Sequence, residues 1–207
     1  MRRVAIFLRK TGSVNKFRDV ILGTLRTDAI DRALVCSGFF QENHHYSAGL
    51  DFDLISFRGC TPIHVTTVGL YSYGWGPQYS KFFSHLVAAN NCSCFSANQM
   101  KIPGMNWHAK VFLAKEGENP RVAIIGSSNI TRRAFGAFKE FNYECDVVMW
   151  DENVRAIEDL LTRVIGDTDL SDVIVTNYDD EHPANAEPLA VRLNRLEREI
   201  MDTAVQA

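Results

Sequence analysis

Residues Ala33 to Phe40 form an almost unbroken apolar run. A strand exposes alternate residues to opposite faces, so a strand that is apolar on both must be covered from both sides. That requirement points to a sheet held between helical layers. The neighbouring segments fit this plan. Arg3 to Leu8 reads as a strand. Val14 to Thr27 reads as a helix with Phe17, Val20, Ile21, Leu22 and Leu25 on or near one face and Ser13 as its N-cap. Pro62 to Leu70 is a strand rich in β-branched residues, and Gln78 to Ala89 a helix presenting Phe82, Phe83, Leu86 and Val87. Cys92 to Ser96 fits a short strand. Three strands that look central follow, Trp107 to Leu113, Val122 to Ile125 and Tyr143 to Trp150, the last two separated by a short helix around Ile130 to Phe138. A further helix starts at Asp151 and Glu152, with Val154, Ile157, Leu160, Leu161 and Val164 as its stripe. The fold class read from this order is α/β, a mixed β-sheet flanked by helices on both faces.

The pattern divides the chain into residues 1–166, an α/β domain, and residues 167–207, an acidic loop followed by a C-terminal helix. Asp167 to Pro188 has the composition of an exposed loop, and the final helix from Leu189 places Leu193, Leu196 and Ile200 at helical spacing. It packs either on its own domain or on a partner subunit. From Asp151 onward there are 14 acidic and 5 basic residues, whereas the first 150 residues hold 17 basic and 11 acidic ones. A polyanion would therefore bind to the first three quarters, although the same balance also fits an ordinary solvated surface. With 46% hydrophobic and 23% charged residues, disorder and collagen-like structure are excluded.

The apolar run Val4 to Leu8 is far shorter than the roughly 20 residues of a membrane span, and Arg9 and Lys10 follow it at once. The expectation is a cytoplasmic protein with no membrane partner. Five scattered cysteines, Cys36, Cys60, Cys92, Cys94 and Cys145, argue against a secreted disulfide framework. Cys92 and Cys94 are too close together to resemble a zinc knuckle. All five are read as reduced and mostly buried. His44 and His45 lack carboxylates at metal-ligand spacing, so no metal is expected.

Two segments carry chemistry: Trp107-His108-Ala109-Lys110-Val111-Phe112-Leu113 and Gly126-Ser127-Ser128-Asn129-Ile130-Thr131. On a strand His108 and Lys110 share a face, which brings an imidazole and an ammonium into one pocket. The second segment ends a strand before an expected helix, so Ser127, Asn129 and free backbone N–H groups at that helix start would hold a phosphate. Taken alone, Gly126-Ser127-Ser128 also fits a plain strand-to-helix turn, and Glu144 a surface residue.

His108-x-Lys110, then Gly126-Ser127-x-Asn129-x-Thr131, then Asn142-x-Glu144 entering an apolar strand, resembles the phospholipase D superfamily. The likeness covers roughly residues 1–165, including Ser37-Gly38-Phe39-Phe40 at a strand end. It implies the superfamily's α-β-α sandwich. One departure is plain: where the family pattern carries an Asp, this chain has Lys115. Replacement by a later Glu, Glu144, resembles the single-motif nuclease branch of small bacterial endonucleases and metal-independent restriction endonucleases; Asp146 is the substitute candidate.

The resemblance implies a metal-independent phosphodiesterase without cofactor, a homodimer sharing one active site because only one His-x-Lys is present. His108 of one subunit would attack phosphorus to give a phosphohistidine, and His108 of the other would protonate the leaving oxygen. Lys110, Asn129 and Ser127 would neutralise the phosphate, and Glu144 would orient His108. Nucleic acid is the implied partner, DNA ahead of RNA. Ser128, Thr131, Arg132 and Arg133 would contact the substrate; the two arginines fit a phosphate backbone or plain solvent exposure equally. Tyr73 and Trp75, in an aromatic, glycine-rich stretch, either stack bases or form a hydrophobic plug or dimer contact. Two other readings remain: a lipid phosphodiesterase or phosphatidyltransferase, and a decayed nucleic-acid-binding subunit.

Overall fold

The computed structural model describes residues 3–70, 74–104, 110–166 and 172–207. Its elements alternate as the apolar runs require: β1 (Arg3–Arg9), α1 (Lys16–Arg26), β2 (Arg32–Ser37), the hairpin β3 (Glu42–Asn43) and β4 (Tyr46–Ser47), α2 (Ile55–Arg58), β5 (Ile63–Leu70) and α3 (Gly76–Ala89). Then come β6 (Phe95–Ile102), β7 (Lys110–Glu116), β8 (Asn119–Gly126), β9 (Glu144–Trp150), α4 (Arg155–Ile165), β10 (Val173–Asn177), α5 (Leu189–Thr203) and β11 (Val205–Gln206). A nine-stranded sheet has the order β10-β1-β9-β8-β7-β2-β5-β6-β11. β2, β5 and β6 are parallel, and the remaining neighbours are antiparallel.

The period of two sorts the core into two layers. Ala33, Val35, Phe112, Ala114, Val122, Ile124, Val148 and Trp150 face a cluster shared with α1, α3 and α4. Leu34, Cys36, Val111, Leu113, Ala123 and Met149 face the opposite way, against Leu189, Leu193 and Ile200 of α5. β2 is thus buried on both sides, and the C-terminal helix packs on its own sheet. Lys115, 2% exposed, points to the α5 side and pairs with Glu197 at 2.8 Å and Glu118 at 3.3 Å. The residue that replaces the motif's Asp therefore pins α5 to the sheet.

Several expectations need correction. The stretch 130–138 is a series of turns, not a helix. Its spacing of buried Ile130, Ala134 and Phe135 imitates a helix face. However, the carbonyls of Arg133, Ala134, Phe135 and Gly136, which a continuing helix would use, accept from the side chains of Arg9 and Asn15. The N-cap of α1 is Asn15 rather than Ser13, its Oδ1 accepting from Arg18 N at 3.0 Å. α4 starts at Arg155 because Asp151 is occupied by Arg121 and by the N–H of Asn153. The acidic segment after 166 is not all loop: its β-branched residues 173–176 form β10, paired to β1. The cysteines also differ. Cys36 is buried, Cys60 and Cys145 are exposed, and Cys92 and Cys94 form a disulfide across the turn before β6, where their Cα atoms lie 5.2 Å apart.

Among the described residues, no helix is long and apolar enough to cross a membrane. The strand directions bring the ends of β1, β2, β5, β6 and β8 and the starts of β7 and β9 to one border of the sheet.

Candidate active site

That border collects the chemistry. Lys110 opens β7, Gly126 closes β8 opposite it, and Asp146 of β9 is the next neighbour in register. Gly126 is needed there: a Cβ would lie 2.8 Å from both Cα and Cγ of Asp146. Without it, the Asp146 carboxylate lies over β8 and accepts from Ser128 N at 3.2 Å and Ser128 Oγ at 2.6 Å. Both residues are buried, and burial pushes the Asp146 carboxyl above its usual range. Asp146 is a brace for the Gly-Ser-Ser turn. Ser128, expected to contact substrate, is turned inward with its hydroxyl engaged.

Glu144 has a different setting. It is half-buried, accepts from Ser127 Oγ on one oxygen, and takes Asn142 Nδ2 at 3.1 Å on the other. Lys110, 5% exposed, feels two opposing influences: burial lowers its pKa and the charge of Glu144 raises it, burial being the larger. Its ammonium therefore holds its proton less tightly than an exposed lysine. The charge of Glu144 thus acts on Lys110 and favours its charged form. His108 lies outside the described residues, as does Tyr73.

Asn129 links this turn to β2. Its Oδ1 accepts from Phe39 N at 3.1 Å and Ser37 Oγ at 3.3 Å, and Ile130 N donates to Ser37 Oγ at 3.1 Å. A backbone donor fixes the orientation of the amide: Oδ1 must face Phe39, so Nδ2 faces the other way. Asn129 lines a cleft of about 480 Å³ with Phe39, Gln41, His45, Trp75, Thr131, Arg132, Arg133 and Asn142. The Phe39 and Trp75 rings lie 4.8 Å apart. Arg132 and Arg133 share Glu140 at 3.3 and 3.9 Å.

The backbone cradle expected at this turn is not formed. There is no helix N-terminus after the turn, and the N–H groups of Ser127, Ser128, Ile130, Thr131 and Arg132 all donate within the protein. The cationic and amide side chains at this border are Lys110, the outward amide nitrogen of Asn129, and the guanidinium groups of Arg132 and Arg133, both of which pair with Glu140. Such a donor set neutralises an anion without requiring a backbone cradle. Three contributors escaped the sequence reading. Arg9 donates to the carbonyls of Arg133, Ala134 and Gly136, Asn15 holds the same loop, and Gln41 Oε1 accepts from Arg132 N. Each acts on a segment about 90 residues or more away. No local pattern could carry that signal.

No family model matches the chain and no curated protein is similar to it in sequence. The structure of phosphatidylserine synthase from Haemophilus influenzae matches over 97% of this chain and 46% of that one, with a TM-score of 0.50 at 12% identity. The fold is shared with that enzyme. The chain spans under half the length of that protein. Yeast tyrosyl-DNA phosphodiesterase matches over 82% of this chain and 42% of that one, with a TM-score of 0.38 at 12% identity.

Proposed function

We propose that the chain is a phosphodiesterase of the phospholipase D type, a nuclease acting on DNA ahead of RNA, without metal, through a phosphohistidine. The observation that carries this reading is that Lys110, Ser127, Asn129 and Glu144 all stand at one border of the sheet, Ser127 hydrogen-bonded to Glu144 and Asn129 lining the neighbouring cleft. Lys110 opens β7 two residues after His108. In the proposed reaction the His108 ring nitrogen forms a bond to phosphorus as the ester P–O bond breaks. His108 of a second copy gives its proton to the leaving oxygen. Water then attacks phosphorus and displaces the first imidazole, and the second, neutral after the first step, takes a proton from that water. Lys110 and Asn129 neutralise the nonbridging oxygens, worth several kcal/mol where charge develops. Glu144 accepts from the other ring nitrogen of His108 and fixes its tautomer. With one His-x-Lys in this sequence, a second copy of the chain would supply the second histidine. Support for nucleic acid comes from the Phe39 and Trp75 rings beside Arg132 and Arg133 in the cleft, a combination suited to bases and phosphates.

A second reading, transfer of a lipid phosphatidyl group, is favoured by the fold match to a phosphatidylserine synthase. Incubation with single- and double-stranded DNA and RNA in excess chelator, beside His108→Ala, decides between them. Cleavage by the wild type alone supports the nuclease. Folded protein that leaves all four substrates intact yet hydrolyses phosphatidyl lipids refutes it in favour of the second reading.

A further inference from the structure

At the opposite end of the sheet, three cysteines from two loops meet. Cys60 lies between α2 and β5, and Cys92 and Cys94 lie in the turn between α3 and β6. Their sulfur atoms are all within 4.8 Å of one another. Eight residues of β5 separate this end from the site border, roughly 25 Å at about 3.3 Å per residue. The cluster is therefore independent of the phosphodiester chemistry. Cys60 is exposed and the other two are half-buried, so the sulfurs are open to solvent on one side.

The loops are held rigidly from behind. The Arg58 guanidinium, buried, donates to the carbonyls of Leu25 (3.1 Å), Ile30 (2.7 Å), Pro62 (3.2 Å) and Thr27. Asn90, also buried, donates to the carbonyls of Phe52 and Leu86 and accepts from the N–H groups of Leu54 and Ile55. Ile63 N donates to Cys94 O at 2.9 Å, tying the two loops together. Cys94 N points at Cys92 Sγ, 3.2 Å away. An N–H donor to sulfur stabilises the thiolate that a metal requires.

We propose that Cys60, Cys92 and Cys94, once reduced, bind a thiophilic cation of the zinc, cadmium or copper(I) class, and that the Cys92–Cys94 disulfide is the oxidised, metal-free form. Three thiolates about 2.3 Å from one ion stand about 3.8 to 4.0 Å apart. Sulfurs within 4.8 Å of one another are already near that spacing, and opening the disulfide frees Cys92 and Cys94 to move apart to it. Soft sulfur ligands select this class of cation over magnesium or calcium. The spacing Cys92-x-Cys94 is too tight to supply a site alone; the third ligand comes from a loop distant in sequence. The steps balance. A dithiol reductant gives two electrons and two protons to the disulfide and becomes a disulfide itself. A divalent ion then forms three sulfur bonds and releases the three thiol protons.

The test is titration of the full chain, reduced and desalted under nitrogen, with cadmium(II), followed by the ultraviolet thiolate-to-metal charge-transfer band. One equivalent should bind to the wild type and to Cys145→Ser. The affinity of Cys60→Ser and of Cys94→Ser should fall by more than the roughly 10- to 100-fold that loss of an outer hydrogen-bond partner costs. Oxidised wild type should bind none. Cys60 is exposed, so Cys60→Ser is expected to fold, and circular dichroism checks it. Equal affinity in wild type and folded Cys60→Ser overturns the proposal. So does peptide mapping that finds Cys60 disulfide-bonded to Cys92 or Cys94 in the protein after mild reduction.

Discussion

Gly126→Ala is a severe change made with one methyl group. The new Cβ would overlap the Asp146 carboxylate and approach Asp146 Cα to 2.8 Å. Overpacking alone costs about 1–3 kcal/mol. Relief by rotating Asp146 away would give up the bonds from Ser128 N and Ser128 Oγ, each worth about 1.5–3 kcal/mol to a charged acceptor. The chain takes the cheaper mixture, so a loss of about 3–5 kcal/mol is expected, a large part of the 5–15 kcal/mol that stabilises a typical domain. The clash and the lost bonds share one side chain. Asp146→Ala should therefore cost about 2–4 kcal/mol alone, and the double variant less than the sum by about 1–2 kcal/mol. The backbone contact at Asp146 Cα keeps the coupling from being complete. Urea unfolding of the four proteins, followed by tryptophan fluorescence, measures the cycle. A Gly126→Ala protein within 1 kcal/mol of wild type, or strictly additive losses, would refute the bracing role of Asp146.

Breaking the Lys115–Glu197 pair should be asymmetric. Glu197→Ala strands a buried ammonium beside only the exposed Glu118 and should cost about 3–5 kcal/mol, whereas Lys115→Met removes the charge with its cavity filled and should be nearly neutral in urea unfolding. Lys110 is charged below its folded pKa, which burial depresses, so the rate should fall on the alkaline side below the roughly 10.4 of an ordinary lysine. Glu144→Gln removes the charge that raises this pKa, and any residual activity should show that limb at still lower pH; a limb that stays put or rises in the pH–rate profile would separate the two residues. If two copies share one site, sedimentation should give a dimer, and mixtures of His108→Ala with Lys110→Ala should not recover full activity. Binding of polyanions should weaken steeply with salt, and a flat salt response would point away from nucleic acid.

The layers were readable because strand burial follows a period of two, which Ala33–Cys36, Val111–Ala114 and Val122–Ile124 obey residue by residue. Lys110, Gly126, Asn129 and Glu144 were singled out together by the resemblance of their order to a known motif, and the fold sets each at a strand end or in the turn beside it. What stayed hidden depends on distant partners. The 130–138 turns look helical until Arg9 and Asn15 claim their carbonyls, and the inward Ser128 looks like an anion ligand until Asp146 reaches it across Gly126. Val173 to Asn177 was masked by the surrounding acids, although its β-branched residues need only one edge of β1 to pair with. The meeting of Cys60 with Cys92 and Cys94 depends on β5 lying beside β6, which no spacing along the chain reports.

The sheet's two outermost strands, β10 and β11, both come from residues 173–206. During synthesis β1 and β6 emerge well before the segments that will cover them. Both open edges, with their unpaired N–H and C=O groups, then remain available to other nascent chains. The two edges close last, β10 on one side and β11 on the other, with α5 laid across one face between them. Shielding of those two edges thus waits until residues 173–206 have emerged, and an interruption of translation before β10 leaves a sticky intermediate rather than a smaller version of the protein.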